Sequence, residues 1–179
     1  MSIPNLLTLS RIVLTIPLVA LLYYEPKEWA IWSFAIFIIA SVTDYLDGKL
    51  ARKLNQVSTL GKFLDQISDK ILITSLFLVF MFIGKVNFWL VFLIIFRDTF
   101  VSGIRMLAAS EGVIIAANYF GKFKTVSQII LLCFLYLQVI TNWDITAFVI
   151  LLQWIVALIT LFSGIVYVSG YLRNSERGK

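Results

Sequence analysis

The chain has 179 residues, 60% of them hydrophobic and only 14% charged, with a formal net charge of +5 and a mean hydropathy of +0.94. Soluble domains run at roughly 45–50% apolar and about 25% charged residues, so this composition points instead to one integral membrane domain covering 1–179. Histidine is absent and the single cysteine, Cys133, lies in an apolar run, which excludes His-ligated metals, a Ser-His-Asp nucleophile, an internal disulfide and most thiolate metal sites.

In chain order, "MSIPNLLTLSR" lacks both a basic leader region and a small-residue cleavage site, so the first hydrophobic segment, Leu6–Tyr24, is expected to remain in the mature protein. Trp29–Thr43 follows and ends at Asp44. Ile71–Gly84 begins after Lys70, and Val86–Phe96 runs into Arg97 and Asp98. Only Thr125–Trp143 and Ile145–Leu172 reach the roughly 20 residues of a membrane helix without help. The others must take ionisable residues into the membrane boundary, where a charge should face a protein or water-filled interior.

The fold class expected is therefore all-α integral membrane, with six transmembrane helices. An even number of spans leaves both termini on one side. That side carries Lys49, Arg52, Lys53, Lys62, Arg105, Lys122, Lys124, Arg173, Arg177 and Lys179, against Lys27 and Lys85 on the other, which makes it cytoplasmic. The positive charge is thus assigned to topology and to anionic lipid headgroups, and no nucleic-acid partner is expected. Trp29, Trp32, Trp89 and Trp143 form the expected outer aromatic belt, with Tyr167 and Tyr171 near the inner one. The turns "EPKE", "GKVN" and "TNWD" are short, so only the two cytoplasmic connections have room for chemistry.

The first connection, "DYLDGKLARKLNQVSTLGKFLDQISDK", holds Asp44, Asp47, Asp65 and Asp69. Residues three or four apart share a helix face, so each pair sits together, at the end of helix 2 and the start of helix 3. Four converging carboxylates raise one another's pKa and need protons or cations as compensation. An all-oxygen donor set suits Mg²⁺ first and Mn²⁺ second, and four aspartates suffice for two ions that clamp phosphoryl groups. Gly48 and Gly61 permit close approach of a phosphate to the backbone, and Arg52 offers it a planar fork. Ordinary solvated loop charge is the competing reading.

The spacing D-x2-D-G-x2-A-R-x8-G-x3-D-x3-D resembles the signature of the CDP-alcohol phosphatidyltransferases at all eight fixed positions. The resemblance implies a six-helix, usually homodimeric membrane enzyme with a cavity on the cytoplasmic side, which moves a phosphatidyl group from a CDP-linked lipid to an alcohol and releases CMP. It implies Asp44, Asp47, Asp65 and Asp69 as metal ligands, Asp69 as general base, and Gly48, Ala51, Arg52 and Gly61 as the lining of the CDP site.

The acceptor must be read elsewhere. Arg97 and Asp98 lie mid-span in "FRDTFVSGIR", and Asp98 and Arg105, seven apart, fall near one face. A structural ion pair orienting helix 4 is the competing reading for Asp98. In "AANYFGKFKT", Lys122, Lys124 and Thr125 are expected just before helix 5, where free N–H groups and the helix dipole favour an anion. Topology alone also accounts for two lysines there. Arg105, Lys122 and Lys124 together suit a second phosphate, and hence an acceptor that is a phosphate ester.

The opening Ile3, Pro4, Asn5, Thr8 and Arg11, the helix-4 segment and "GKFKT" resemble the phosphatidylglycerophosphate synthases of bacteria, from the N-terminus to about residue 128. That resemblance implies CDP-diacylglycerol and sn-glycerol 3-phosphate as substrates and the cytoplasmic (inner) membrane as the location. Asp98 stands where glutamate is common, and "DQISDK" where "DPLADK" is common. Asn5, Thr8 and Arg11 are expected near the cavity mouth, but ordinary helix-start residues look the same and they stay outside the expected site. Ser163, Gly164 and Gly170 form a small-residue seam suited to a dimer face or to internal packing. Inositol phosphate, serine or phosphatidylglycerol as acceptor, and an ion or proton transporter, are the alternatives.

Overall fold

A computed structural model describes residues 3–53, 59–110, 119–141 and 143–177; within them, the side chains at 3–5, 7, 44–53, 59, 60, 62, 63, 65, 66, 109, 110 and 174–177 are not described. Among the described residues the chain is all-α, with six helices: α1 Ile3–Tyr24, α2 Pro26–Lys53, α3 Thr59–Phe82, α4 Phe88–Ser110, α5 Tyr119–Thr141 and α6 Thr146–Arg177.

Local chemistry sets the turns. Glu25 precedes a proline, which disfavours helical backbone at that residue, and its carbonyl accepts the first bond of α2 from the Trp29 N–H at 3.0 Å. Gly84 ends the α3 segment in the left-handed region, at φ +74°, while the Lys85 N–H donates back to the Phe80 carbonyl at 2.8 Å. Asn87 then caps α4, its Oδ1 accepting from the Trp89 N–H at 2.8 Å. Gln153 of α6 braces this turn, accepting from the Asn87 N–H and donating to the Lys85 carbonyl.

The helices carrying polar residues run further than hydropathy alone predicts. α2 continues from Thr43 to Lys53 because "YLDGKLARK" is rich in strong helix formers; Gly48 costs about 1 kcal/mol but does not stop the helix. α4 likewise continues through Arg97, Asp98 and Arg105 to Ser110.

α1 packs against both α2 and α3, α4 against α3 and α6, and α5 against α2, α3 and α6. The core centres on Tyr136 of α5, whose ring lies 5.0 Å from Phe34, 5.9 Å from Phe37 and 5.0 Å from Phe80. Its hydroxyl pairs with the Ser33 Oγ at 2.7 Å, and Ser33 donates to the Leu18 carbonyl. A buried hydroxyl needs such a partner. Tyr136→Phe is expected to cost about 1–2 kcal/mol, read as a lower melting temperature in detergent with unchanged catalytic constants.

The outer surface is apolar. Ile16, Trp89, Trp154 and Ile165 are 63–70% exposed, an arrangement a water-soluble fold avoids. Tyr119–Thr141 and Thr146–Arg173 are long and apolar enough to cross a membrane. Trp29, Trp32, Trp89 and Trp143 face outward as the belt reading expects. Tyr167 does not: it is buried, turned toward α4, because two arginines there engage it. The α6 seam is internal at Ser163, which is fully buried, and at Gly164, where a Cβ would meet the Arg97 stem at 3.3 Å.

Candidate active site

The carboxylate half of the site lies on α2 and α3. Asp44 and Asp47 stand three apart near the end of α2, and Asp65 and Asp69 four apart near the start of α3. The side chains of Asp44, Asp47, Asp65, Gly48, Ala51 and Arg52 lie outside the described residues. So does the metal set as a whole: among the described residues no three acidic, His or Cys side chains converge. The donor chemistry fits hard divalent ions, being oxygen only, and the one described member, Asp69, keeps 47% of its side chain exposed. Gly61 is half-buried near the start of α3.

Arg11 joins this half from α1. It is fully buried, donates from Nη1 to the Ser68 Oγ at 3.2 Å, and sits 3.8 Å from the Asp69 Oδ1. Thr8, Arg11 and Thr15 share one buried face of α1, and the Thr15 hydroxyl bonds the Arg11 carbonyl. A guanidinium held this way places a positive charge beside the Asp69 carboxylate.

The cationic half lies on α3, α4 and α5. Asp98 is its hub, buried, with the Lys124 Nζ 2.7 and 2.6 Å from its two oxygens and the Arg97 Nη1 3.0 Å from Oδ1. Among the described residues α4 and α5 do not touch through their backbones, so the Lys124–Asp98 pair spans the gap between them. Lys70 of α3 donates to the Ser102 hydroxyl and to the Asp98 carbonyl, and Ser102 also bonds that carbonyl. Lys70 feels the charges of Asp98, Arg105 and Arg97. Among the described residues one carboxylate therefore stands among four cations, pairing directly with Arg97 and Lys124. The excess shows in the hydrogen bonding: Nε and Nη2 of Arg97, Nε of Arg105 and Nε2 of Gln128 are buried and have no partner among the described residues. Buried N–H donors left open in a positive field suit an oxyanion.

The two halves meet on α3. Ser68, Asp69 and Lys70 are consecutive; the first two face Arg11 on α1, and the third faces α4. The Asp69 carboxylate and the cationic cluster are thus joined through neighbouring residues of one helix.

Of the residues expected to bind the acceptor, Arg97, Arg105 and Lys124 come together around Asp98 and Tyr167. Lys122 is exposed and lies over the Tyr119 ring at 5.7 Å. The Thr125 hydroxyl donates to the Gly121 carbonyl at 3.3 Å. The expectation that Lys122, Lys124 and Thr125 precede helix 5 is corrected: α5 begins at Tyr119, so the backbone N–H groups of Lys124 and Thr125 belong to the helix ladder. Lys124 acts through its ammonium group and not through the helix terminus. Asp98 pairs with Lys124 and Arg97, while Arg105 turns to Tyr167, so the ion-pair reading of Asp98 is correct in kind and wider than helix 4.

Residues 1–166 match the family model of the CDP-alcohol phosphatidyltransferases. The chain belongs to that family. Among curated relatives of this phosphatidyltransferase, the CDP-diacylglycerol–glycerol-3-phosphate 3-phosphatidyltransferase of Bacillus subtilis (strain 168) is 35% identical over 94% of each chain. The protein of the same name from Rickettsia typhi is 35% identical over 93% of this chain and 94% of its own length. A third, from Cereibacter sphaeroides, is 37% identical over 76% of this chain and 63% of its own.

Three residues that the structure brings to this phosphatidyltransferase's candidate site lay outside the sequence expectation. Arg11 carried a signal, the IPN-x2-T-x2-R opening, that did not separate it from an ordinary helix start. Lys70 reads as a span-flanking lysine and Tyr167 as a belt tyrosine, so neither carried one.

Proposed function

We propose that the chain transfers the phosphatidyl group of CDP-diacylglycerol to sn-glycerol 3-phosphate, releasing CMP and forming phosphatidylglycerophosphate. The observation that carries this reading is the cluster of buried Lys124 with half-buried Arg97, Arg105 and Lys70, whose arginines hold buried N–H donors with no partner among the described residues, one residue along α3 from Asp69. It has the charge for a phosphate beyond the donor's pyrophosphate, and relatives matched over almost their whole length carry the corresponding name.

In this reading Arg97, Arg105 and Lys124, with Lys70, hold the acceptor phosphate, while Lys122 and Thr125 stand at the rim. Gly48, Ala51, Arg52 and Gly61 receive the CDP moiety. Asp44, Asp47, Asp65 and Asp69 would hold two Mg²⁺ or Mn²⁺ ions, which supply charge neutralisation at the pyrophosphate when bound. The acceptor hydroxyl forms the new O–P bond at the phosphorus bearing diacylglycerol, the P–O bond to CMP breaks, and the hydroxyl proton passes to the Asp69 carboxylate. Arg11 places a positive charge beside that carboxylate. Holding the acceptor by its phosphate places its hydroxyl within reach, so orientation supplies much of the acceleration.

The same reading takes residues 1–179 as one domain of six transmembrane helices in the cytoplasmic membrane. Both termini and the cavity face the cytoplasm, and a homodimer is expected. The basic residues gathered on one side and the exposed Trp29, Trp32, Trp89 and Trp143 support this orientation.

The test is CMP release by detergent-purified protein given CDP-diacylglycerol with glycerol 3-phosphate, inositol phosphate, serine or phosphatidylglycerol in turn. Release is expected with glycerol 3-phosphate alone, abolished by a chelator and restored by Mg²⁺ or Mn²⁺. Release with a different acceptor would overturn the assignment of the cationic cluster, and release that survives chelation would overturn the aspartate metal site.

A further inference from the structure

We infer that Tyr167 is a positioning residue of the acceptor subsite, holding the guanidinium groups of Arg97 and Arg105 ready for the acceptor phosphate. This rests on the reading of those arginines given above. Tyr167 is one residue beyond the stretch matched by the family, and nothing in the signature motifs assigns it a role.

The two arginines are eight residues apart on α4, roughly 12 Å along the helix axis. Like charges on so long a baseline have no reason to converge unless something collects them. The ring of Tyr167 does so: the Arg105 Cζ lies 4.8 Å from its centroid and the Arg97 Cζ 5.3 Å, and Arg105 also donates from Nη2 to the hydroxyl. Gly164, one turn earlier on α6, receives the aliphatic stem of Arg97, where a Cβ would stand 3.3 Å from its Cγ. α5 closes over the far edge of the ring: a Cβ on Gly121 would stand 3.1 Å from the hydroxyl and 3.4 Å from Cε2. The ring is held on both sides and is buried.

A tyrosine does here what a carboxylate would not. It orients two guanidinium groups without cancelling their charge, and it leaves Nε of both arginines and Nη2 of Arg97 with no partner among the described residues. An aspartate or glutamate at this position would compete with the incoming phosphate. Asp98 already ties down Lys124 and one nitrogen of Arg97, so further neutralisation would remove the excess that attracts the ligand.

The experiment is steady-state kinetics of the full chain with both substrates varied, for Tyr167→Phe, Tyr167→Leu, Gly121→Ala and Arg105→Ala. Tyr167→Phe keeps the ring and loses the hydroxyl; KM for glycerol 3-phosphate should rise about ten-fold, as for one lost hydrogen bond to a charged group. Tyr167→Leu should raise it further. In both, kcat and KM for CDP-diacylglycerol should stay within about two-fold, since the interaction lost belongs to acceptor binding alone. Gly121→Ala, which crowds the hydroxyl, should move KM for the acceptor in the same direction. In an Arg105→Ala background, Tyr167→Phe should add nothing, because the two act as one unit.

If Arg105→Ala raises the acceptor KM and Tyr167→Phe does not, the positioning role is wrong while the acceptor site stands. If Tyr167→Phe lowers kcat, shifts both KM values and lowers the melting temperature together, its role is packing and the inference falls. If Arg105→Ala leaves the acceptor KM unchanged, the acceptor reading fails and takes this inference with it.

Discussion

Asp69→Asn is expected to lower kcat by about 10²–10⁴-fold, the range general base catalysis contributes, with the protein still folded and CDP-diacylglycerol still bound. Asparagine keeps the shape of aspartate and cannot take the proton. The fold should barely notice, because Asp69 is half exposed and its contact with Arg11, at 3.8 Å, is long. Exposed ion pairs contribute only about 0–1 kcal/mol. Arg11 keeps its bond to Ser68 whatever stands at 69. The measurement is CMP release under saturating substrates, with a melting curve beside it. An Asn variant retaining a tenth of wild-type activity would remove Asp69 from the role of base. Recovery of the variant by higher Mg²⁺ would make it a metal ligand only.

The largest stability effect should come from Asp98→Asn. Asp98 and Lys124 are both nearly buried, with side chains 10% and 7% exposed, and among the described residues Asp98 is the one carboxylate beside Arg97, Arg105, Lys70 and Lys124. Removing one partner of a buried pair leaves an uncompensated charge, which costs about 3–5 kcal/mol. Replacing Lys124 as well removes one of the stranded charges but leaves Arg97 without the carboxylate it meets at 3.0 Å. Asp98→Leu combined with Lys124→Met should therefore recover part of the loss while losing acceptor binding. Thermal melting in detergent of the two singles and the double decides it. A double variant no more stable than Asp98→Asn would mean that Asp98 acts mainly through Arg97 and the Lys70–Ser102 side of the cluster.

These two expectations differ in how much of each the sequence disclosed. Asp69 was legible because its partners in the signature are near in sequence and spaced for one helix face: Asp65 is four residues away, and the pattern back to Asp44 is one continuous stretch. Hydropathy located the helices for a similar reason, since it sums over neighbours. It missed how far α2 and α4 extend, because their last turns are polar and are set by helix propensity instead. The start of α5 was misplaced because the uncharged apolar run begins only at Thr125, after Lys122 and Lys124, whereas the helix begins at Tyr119.

Asp98 was legible only in part. A charge in mid-span announces an inward-facing role, but not which charge meets it. The choice between Arg105 on its own helix and Lys124 on another depends on how α4 and α5 are rotated about their axes.

The sequence by itself determined the reaction class, the carboxylate motif and the helical framework, since each rests on residue type and short-range spacing. Only the tertiary structure decided that Arg11 reaches Ser68 and Asp69 from α1, that Lys70 turns to α4, and that Tyr167 faces two arginines instead of lipid. Those contacts join residues from 32 to 70 positions apart. Burial of each depends on which face of one helix meets which face of another, a quantity that local spacing does not contain.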